Sequence, residues 1–136
     1  MDRAVLAGLL ALASPLILWP IEQVFRAPYL IEEVFKLWLM RMVVQQEKET
    51  GQRLLSWVFL VGLGMVMSET MFYLMNMNVL GNFSSLGKRL ILTNGMHFLT
   101  LILIYWGVRE GGKRLKWSFL GAVLIHLLFN VWAGLG

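Results

Sequence analysis

The candidate functional residues of this chain are a few ionisable side chains within long apolar stretches. Glu32 and Glu33 are adjacent, and Lys36 follows one helical turn later, in the stretch PYLIEEVFKLWLM. Similar apolar surroundings hold a third glutamate and both histidines of the chain: Glu69, His97 and His126. Carboxylates act as general bases toward water, and imidazoles stabilise oxyanions, bind metal ions or relay protons. These residue types therefore allow either hydrolysis or proton-coupled transport.

The composition indicates that these groups belong to an integral membrane protein. The 136 residues are 58% hydrophobic and only 15% charged, whereas a soluble domain carries about 25% charged residues. Several apolar runs reach the roughly 18 residues that are typical of a membrane span. The chain has no cysteine, which excludes disulfides, thiolate metal sites and a cysteine nucleophile. We interpret the net charge of +4 as lipid headgroup contact and topology, not as nucleic-acid binding.

We predict an all-α fold, a polytopic membrane bundle of five transmembrane helices, with residues 1–136 forming a single integral membrane domain. The connectors QQEKETGQR, GNFSSLGKR and REGGKRLK are polar and contain glycine, as loops do. They separate the last four apolar segments. The predicted spans cover about residues 4–21, 28–44, 54–80, 88–108 and 115–135.

The distribution of lysine and arginine predicts how this multi-pass protein is oriented. In the loops and at the ends of the spans, eight Lys and Arg residues fall on the side of the N-terminus and three on the opposite side. Cytoplasmic segments carry the excess of these residues in membrane proteins. We therefore expect a cytoplasmic N-terminus and a C-terminus on the outer side.

The polar residues within the predicted spans share one depth and face one another. A helix rises about 1.5 Å per residue, which places the three glutamates, both histidines and Asn130 in the outer half of the bilayer. Each span also gathers its polar residues on one face, as Glu69 does with Tyr73, and His97 with Asn94 and Thr100. Buried ionisable groups cost about 2.5–3.5 kcal/mol each and normally face a bundle interior. We predict one pocket between helices two to five, with the first helix contributing little beyond packing.

Four stretches, in order along the chain, resemble motifs of the PrsW family of intramembrane proteases. IEEVFK resembles the EExxK motif of that family, and GLGMVMSETMFY resembles its glycine-rich stretch ending in ExxxY. NGMHFLTLILIYWG resembles its histidine helix, and LIHLLFN resembles its closing HxxxN motif. PrsW is in turn similar to the larger superfamily of CAAX-processing and bacteriocin-processing (CPBP, Abi) glutamic proteases.

The resemblance implies an intramembrane endopeptidase that hydrolyses a peptide bond of a membrane-associated protein or peptide near the outer membrane face. Paired glutamates would activate water, while histidine and asparagine would stabilise the oxyanion. The implied catalytic residues are Glu32, Glu33, Glu69, His97, His126 and Asn130. The implied supporting or substrate-binding residues are Lys36, Tyr73 and Asn94.

Two mechanisms remain open for this chemistry. In the favoured one, a glutamate activates water without a metal, and no cofactor is needed. In the other, a divalent ion such as zinc lowers the pKa of its bound water to about 7. Zinc would be held by Glu33, Glu69, His97 and His126. No HExxH motif or other tight ligand spacing is present, which is why the metal-free reaction is preferred.

Two other classes of function also fit polar groups at membrane depth. A proton-coupled small transporter would carry them, although such proteins usually show inverted repeats or broken helices, and we predict neither. A non-catalytic membrane interaction protein is the third class. For a peptidase, the expected partners are a membrane-anchored substrate and the lipid bilayer. Because five spans give a thin wall around a wet site, we also expect a homo-oligomer or a lateral cleft beside the second span.

Overall fold

The computed structural model describes residues 2–75 and 83–132, and within them every regular element is an α-helix. The prediction of an all-α fold is confirmed for this part of the chain. The helices are α1 (Arg3–Leu12), α2 (Ser14–Glu22), α3 (Pro28–Thr50), α4 (Leu55–Met75), α5 (Phe83–Glu110) and α6 (Gly112–Trp132).

Two of the described helices are long and apolar enough to cross a membrane. They are Leu90–Glu110, which is the greater part of α5, and α6. The pair α1 and α2 passes the same test when taken together, so the number rises to three if this bent pair counts as one span. The apolar part of α4, Leu55–Met71, is shorter than the 18 residues that such a span requires. The chain therefore has the character of a membrane protein, as its composition predicts.

The first predicted span, 4–21, is not one straight helix. The axes of α1 and α2 differ by 59° at a break near Ala13. Pro15 lies in the first turn of α2, and a proline has no N–H to bond the carbonyl four residues before it, while its ring clashes with that carbonyl. The expectation that the chain contains no broken helix is therefore wrong for this segment, and the sequence held the signal for the break.

A side chain of α4 stabilises the break between α1 and α2. The amide of Leu16 bonds to the carbonyl of Ala13 rather than to that of Leu12, one residue earlier. The Leu12 carbonyl instead accepts a hydrogen bond of 2.8 Å from the hydroxyl of Ser68. Interhelical bonds of this kind satisfy backbone groups that a kink releases inside a membrane protein. Ser68, which is not among the predicted site residues, thereby ties the break to the helix that carries Glu69.

Close helix contacts hold α1 against α4 at this level. A Cβ atom placed on Gly64 would lie 3.2 Å from the Cβ of Ala11, so the absence of a side chain at Gly64 allows the two backbones to approach. Val43, Val61 and Leu101 are fully buried in the core between α3, α4 and α5. The site described below lies at the end of this core that is nearer the start of α3.

Polar contacts gather several chain segments at the opposite end of the bundle. The backbone amide of Arg3 donates to the side-chain carbonyl of Gln46 at 3.1 Å, and the guanidinium of Arg3 pairs with Glu49. Glu47 is buried and accepts hydrogen bonds from the amide of Leu54 and the hydroxyl of Tyr105. The start of α1, the end of α3 and the last turns of α5 therefore share one end.

Candidate functional site

The two adjacent glutamates of α3 occupy different surroundings. Successive residues of an α-helix point about 100° apart, so Glu32 and Glu33 meet largely different surroundings. The side chain of Glu33 is fully buried, whereas 23% of the Glu32 side chain is exposed. Pro28 at the first turn of α3 suits a helix start because the amide that it lacks would have no partner there. It places both carboxylates in the second turn.

Glu33 belongs to a buried cluster that joins three helices. Its Oε1 atom lies 2.6 Å from Nζ of Lys36 and 2.7 Å from Nδ1 of His126 on α6. Lys36 also donates to the hydroxyl of Thr100 on α5 at 2.8 Å, and that hydroxyl donates to the carbonyl of His97 at 3.2 Å. The lysine compensates the buried carboxylate, while the carboxylate holds the ring of His126.

Glu32 faces two imidazole rings across equal gaps. Its Oε2 atom lies 3.9 Å from Nδ1 of His97 and 3.9 Å from Nε2 of His126. The rings stand edge to face, with their centroids 5.6 Å apart. A separation of 3.9 Å is too long for a direct hydrogen bond, but it is the kind of spacing that one bridging water closes. Nδ1 of His97 is buried and has no hydrogen-bond partner among the described residues.

Glu69 holds the ring of His97 from the other side. Its Oε2 atom lies 2.6 Å from Nε2 of His97, so the opposite ring nitrogen, Nδ1, is directed toward Glu32. His126 is held by Glu33 in the same way. A carboxylate that binds one imidazole nitrogen fixes the orientation of the ring and the role of its other nitrogen. The structure thus presents two oriented imidazoles to one partly exposed carboxylate.

A partly open cavity of about 210 Å³, called the cleft below, is lined by Glu32, Glu69 and His97. Met65 of α4 also lines it, together with five residues of α2: Ser14, Pro15, Leu18, Trp19 and Glu22. The expectation that the first helix contributes little beyond packing is therefore wrong. The break at Ala13 turns α2 across the cavity and places Glu22 in its wall, one residue beyond the predicted end of the span. The feature of the sequence that could have identified Glu22 is an acidic residue directly after an apolar run.

Two predicted site residues, Asn130 and Asn94, take no part in these contacts among the described residues, and the side chain of a third is not described. Asn130 follows His126 by one turn of α6 and is half-buried, but no hydrogen bond joins it to the other site residues within the described ranges. The side-chain oxygen of Asn94 is buried and has no hydrogen-bond partner there. Tyr73 lies on α4 one turn after Glu69, and its side chain falls outside the described part of the protein.

The four residues predicted as zinc ligands are divided between two pairs. Glu33 contacts His126, and Glu69 contacts His97. Across residues 2–75 and 83–132, no three His, Asp or Glu side chains converge in a way that could hold one metal ion. The set Glu33, Glu69, His97 and His126 therefore does not fit a single ion as these side chains are arranged.

Comparison of the chain with protein-family models, with curated proteins and with solved structures finds no match. The likeness to PrsW accordingly rests on the four sequence motifs alone.

Proposed function

We propose that this protein is an intramembrane peptidase of the glutamic type, related to the PrsW family, which hydrolyses a peptide bond of a membrane-associated protein or peptide. One observation carries the proposal. The Glu32 carboxylate, at the wall of a partly open cleft, stands 3.9 Å from each of two imidazole nitrogens whose rings are held from behind by Glu33 and Glu69. This arrangement suits a single water bound for attack on a carbonyl carbon.

Glu32 acts as the general base of the proposed reaction. It removes a proton from the water while the water oxygen attacks the carbonyl carbon, and the resulting carboxylic acid returns the proton to the leaving amine. The nitrogens of His97 and His126 that face Glu32, when protonated, donate to the oxyanion of the tetrahedral intermediate. Because Glu33 and Glu69 fix both rings beforehand, the donors need little reorganisation during the reaction.

The two adjacent glutamates have different roles in the proposed reaction. The sequence alone leaves these roles open. Glu33 is fully buried and its Oε1 atom already contacts Lys36 and His126, so we assign to it the positioning of His126. Lys36 neutralises Glu33, and Thr100 holds the ammonium group through its hydroxyl. Glu32 is the residue of the pair that reaches the cleft.

We also propose that the chain crosses the membrane five times, with α1 and α2 as one broken span. Arg3 bonds to Gln46 near the end of α3, whereas Glu22 shares the cleft with Glu32 near the start of α3. The α1–α2 pair thus runs along most of α3 rather than returning to its own side as a re-entrant loop. With a cytoplasmic N-terminus, as the charge distribution predicts, the cleft lies in the outer half of the bilayer.

A proton-coupled transporter is the second candidate function, and the broken first span favours it. Discontinuous helices beside buried ionisable groups are typical of secondary transporters. The buried chain of Lys36, Glu33 and His126 would then serve as a proton relay. The two candidates differ in a direct observable, because only a peptidase incorporates water into a product.

The peptidase function predicts oxygen-18 incorporation into new carboxyl termini. We expect the full chain, reconstituted in liposomes with a mixture of single-span peptides in oxygen-18 water, to release labelled fragments that mass spectrometry detects. The matched control is the Glu32→Ala, Glu33→Ala double variant, which should release none. Near-normal turnover by that variant would remove the glutamate mechanism. Proton flux across the same liposomes without any cleavage would favour the transporter.

The metal-free mechanism predicts that a chelator leaves cleavage unchanged. We expect the purified protein to keep its rate in an excess of EDTA or phenanthroline, and elemental analysis to find less than one zinc per chain. The expectation follows from assigning the base to Glu32, which needs no metal-bound water. A rate that falls with chelator and recovers on addition of zinc alone would overturn the assignment and support the metal mechanism.

A further inference from the structure

The wall of the cleft beside α3 is acidic. Three carboxylates line it, those of Glu22, Glu32 and Glu69, and none of the described residues in its wall is a lysine or arginine. Lys36 is fully buried in the cluster with Glu33 and does not belong to the wall. Glu22 forms no salt bridge with any residue that the structure describes. Carboxylates grouped within a membrane protein repel one another unless a cation compensates them.

A buried ring nitrogen in the same wall has no hydrogen-bond partner among the described residues. His97 is 5% exposed and lines the cleft. Its Nδ1 atom has no hydrogen-bond partner among the described residues, although its Nε2 atom is bound by Glu69. An unpaired buried nitrogen costs free energy, which a ligand or water in the cleft would recover. This atom indicates that the cleft is built to hold polar groups and is not merely a packing gap.

The shape and lining of the cleft favour a long cationic side chain over a metal ion. No three acidic or histidine side chains in the described ranges could hold one ion. Leu18, Trp19 and Met65 line the same cleft as the carboxylates, and such apolar groups suit the methylene stem of lysine or arginine. A volume of about 210 Å³ is below the roughly 300–1,000 Å³ of pockets for whole small molecules.

The position of Glu22 adds to its attraction for a cation. It is the last residue of α2, and the C-terminal end of a helix carries a partial negative charge from its free carbonyl groups. The carboxylate and the helix end therefore act together at one point of the wall. Glu22 lines the same cleft as Glu32, the proposed general base.

We propose that the cleft binds a lysine or arginine side chain of the substrate beside the scissile peptide bond, and that Glu22 selects for it. This inference rests on the proposed peptidase function and names the class of substrate segment that the same site takes. A basic residue would bring a positive charge to the carboxylates of Glu22 and Glu32, while its stem would cover the apolar wall. Glu22 is then a specificity-determining residue and takes no part in the proton transfers.

The test uses binding, so that it does not depend on cleavage. Two single-span peptides that differ only in lysine or methionine at one position are prepared with N-methylated peptide bonds around it. Their affinities for the full chain in lipid nanodiscs are measured by fluorescence anisotropy. We expect the lysine peptide to bind about tenfold more tightly, as one added charge pair can achieve. In the Glu22→Gln variant we expect the lysine peptide to bind less than about threefold more tightly than the methionine peptide. The control is Glu110→Gln, whose carboxylate is exposed at the other end of the bundle, and it should leave the tenfold preference unchanged.

Each outcome bears on one of the two proposals. Equal affinities of the lysine and methionine peptides for the unaltered protein would overturn the basic-residue inference, even if Glu22→Gln fails to fold. An unfolding midpoint that rises with Mg²⁺ or Zn²⁺ but not with the lysine peptide would assign the cleft to a metal ion instead. A tenfold lysine preference without cleavage of the unmethylated peptide would retain the binding site and reject the peptidase.

Discussion

Replacing Glu32 by glutamine is expected to lower the cleavage rate by about 10²–10⁴-fold, the usual contribution of a general base. Glutamine keeps the size of the side chain but cannot accept the proton of the water. Because Glu32 is partly exposed and pairs directly with no residue at hydrogen-bond distance in the described structure, the fold should tolerate the change. The rate of fragment release, together with the unfolding midpoint of the purified variant, checks this expectation.

The matched comparison is Glu33→Gln, one residue away. This change removes the charge that compensates Lys36 and weakens the contact that orients His126. We expect it to lower the unfolding midpoint as well as the rate, whereas Glu32→Gln lowers the rate alone. The reverse pattern, with Glu33→Gln inactive but fully stable and Glu32→Gln active, would exchange the roles that we assign to the two glutamates.

Replacing Lys36 by methionine is expected to destabilise the folded protein by about 3–5 kcal/mol, because it leaves a buried carboxylate without its cation. The side chains of Lys36 and Glu33 are both fully buried, so water cannot replace the lost contact. Reversible unfolding in mixed detergent micelles measures the free energy. The exposed pair of Arg114 and Glu110 provides the control, since Arg114→Met should change stability by less than about 1 kcal/mol.

A second substitution tests whether the uncompensated charge causes the loss. In the double variant Lys36→Met, Glu33→Gln no charged carboxylate remains at that position, and we expect it to regain most of the stability that Lys36→Met alone loses. If the double variant is as unstable as the sum of the two single variants, Lys36 stabilises the protein through packing rather than through the ion pair.

The helical class and the membrane character of this protein follow from its sequence alone. Long apolar runs separated by polar, glycine-containing connectors predict helices, and every regular element in the described part of the chain is an α-helix. Helical periodicity also predicts which residues share a face, because residues three or four apart on a helix point in similar directions. That rule brings His97 and Thr100 to one stripe, and the structure joins both to the buried cluster of α3.

Which of Glu32 and Glu33 enters the core depends on how α3 packs against the other helices. The two differ by one residue, and periodicity states the angle between them but not the rotation of the whole helix against its neighbours. Packing decides that rotation, through side chains such as Val43 that fill the core. The structure turns Glu33 toward Lys36 and His126 and leaves Glu32 at the cleft, so the separate roles of the pair could not be predicted from the motif.

The contribution of the first span was also decided in three dimensions, although part of its signal is local. Pro15 predicts a break through its missing amide and its steric clash, but the direction in which α2 turns depends on what it meets. Ser68 binds the freed carbonyl of Leu12, and Gly64 allows α1 to lie close to α4. These long-range contacts place Glu22 in the same cleft as Glu32, a relation between distant residues that no local pattern of the sequence contains.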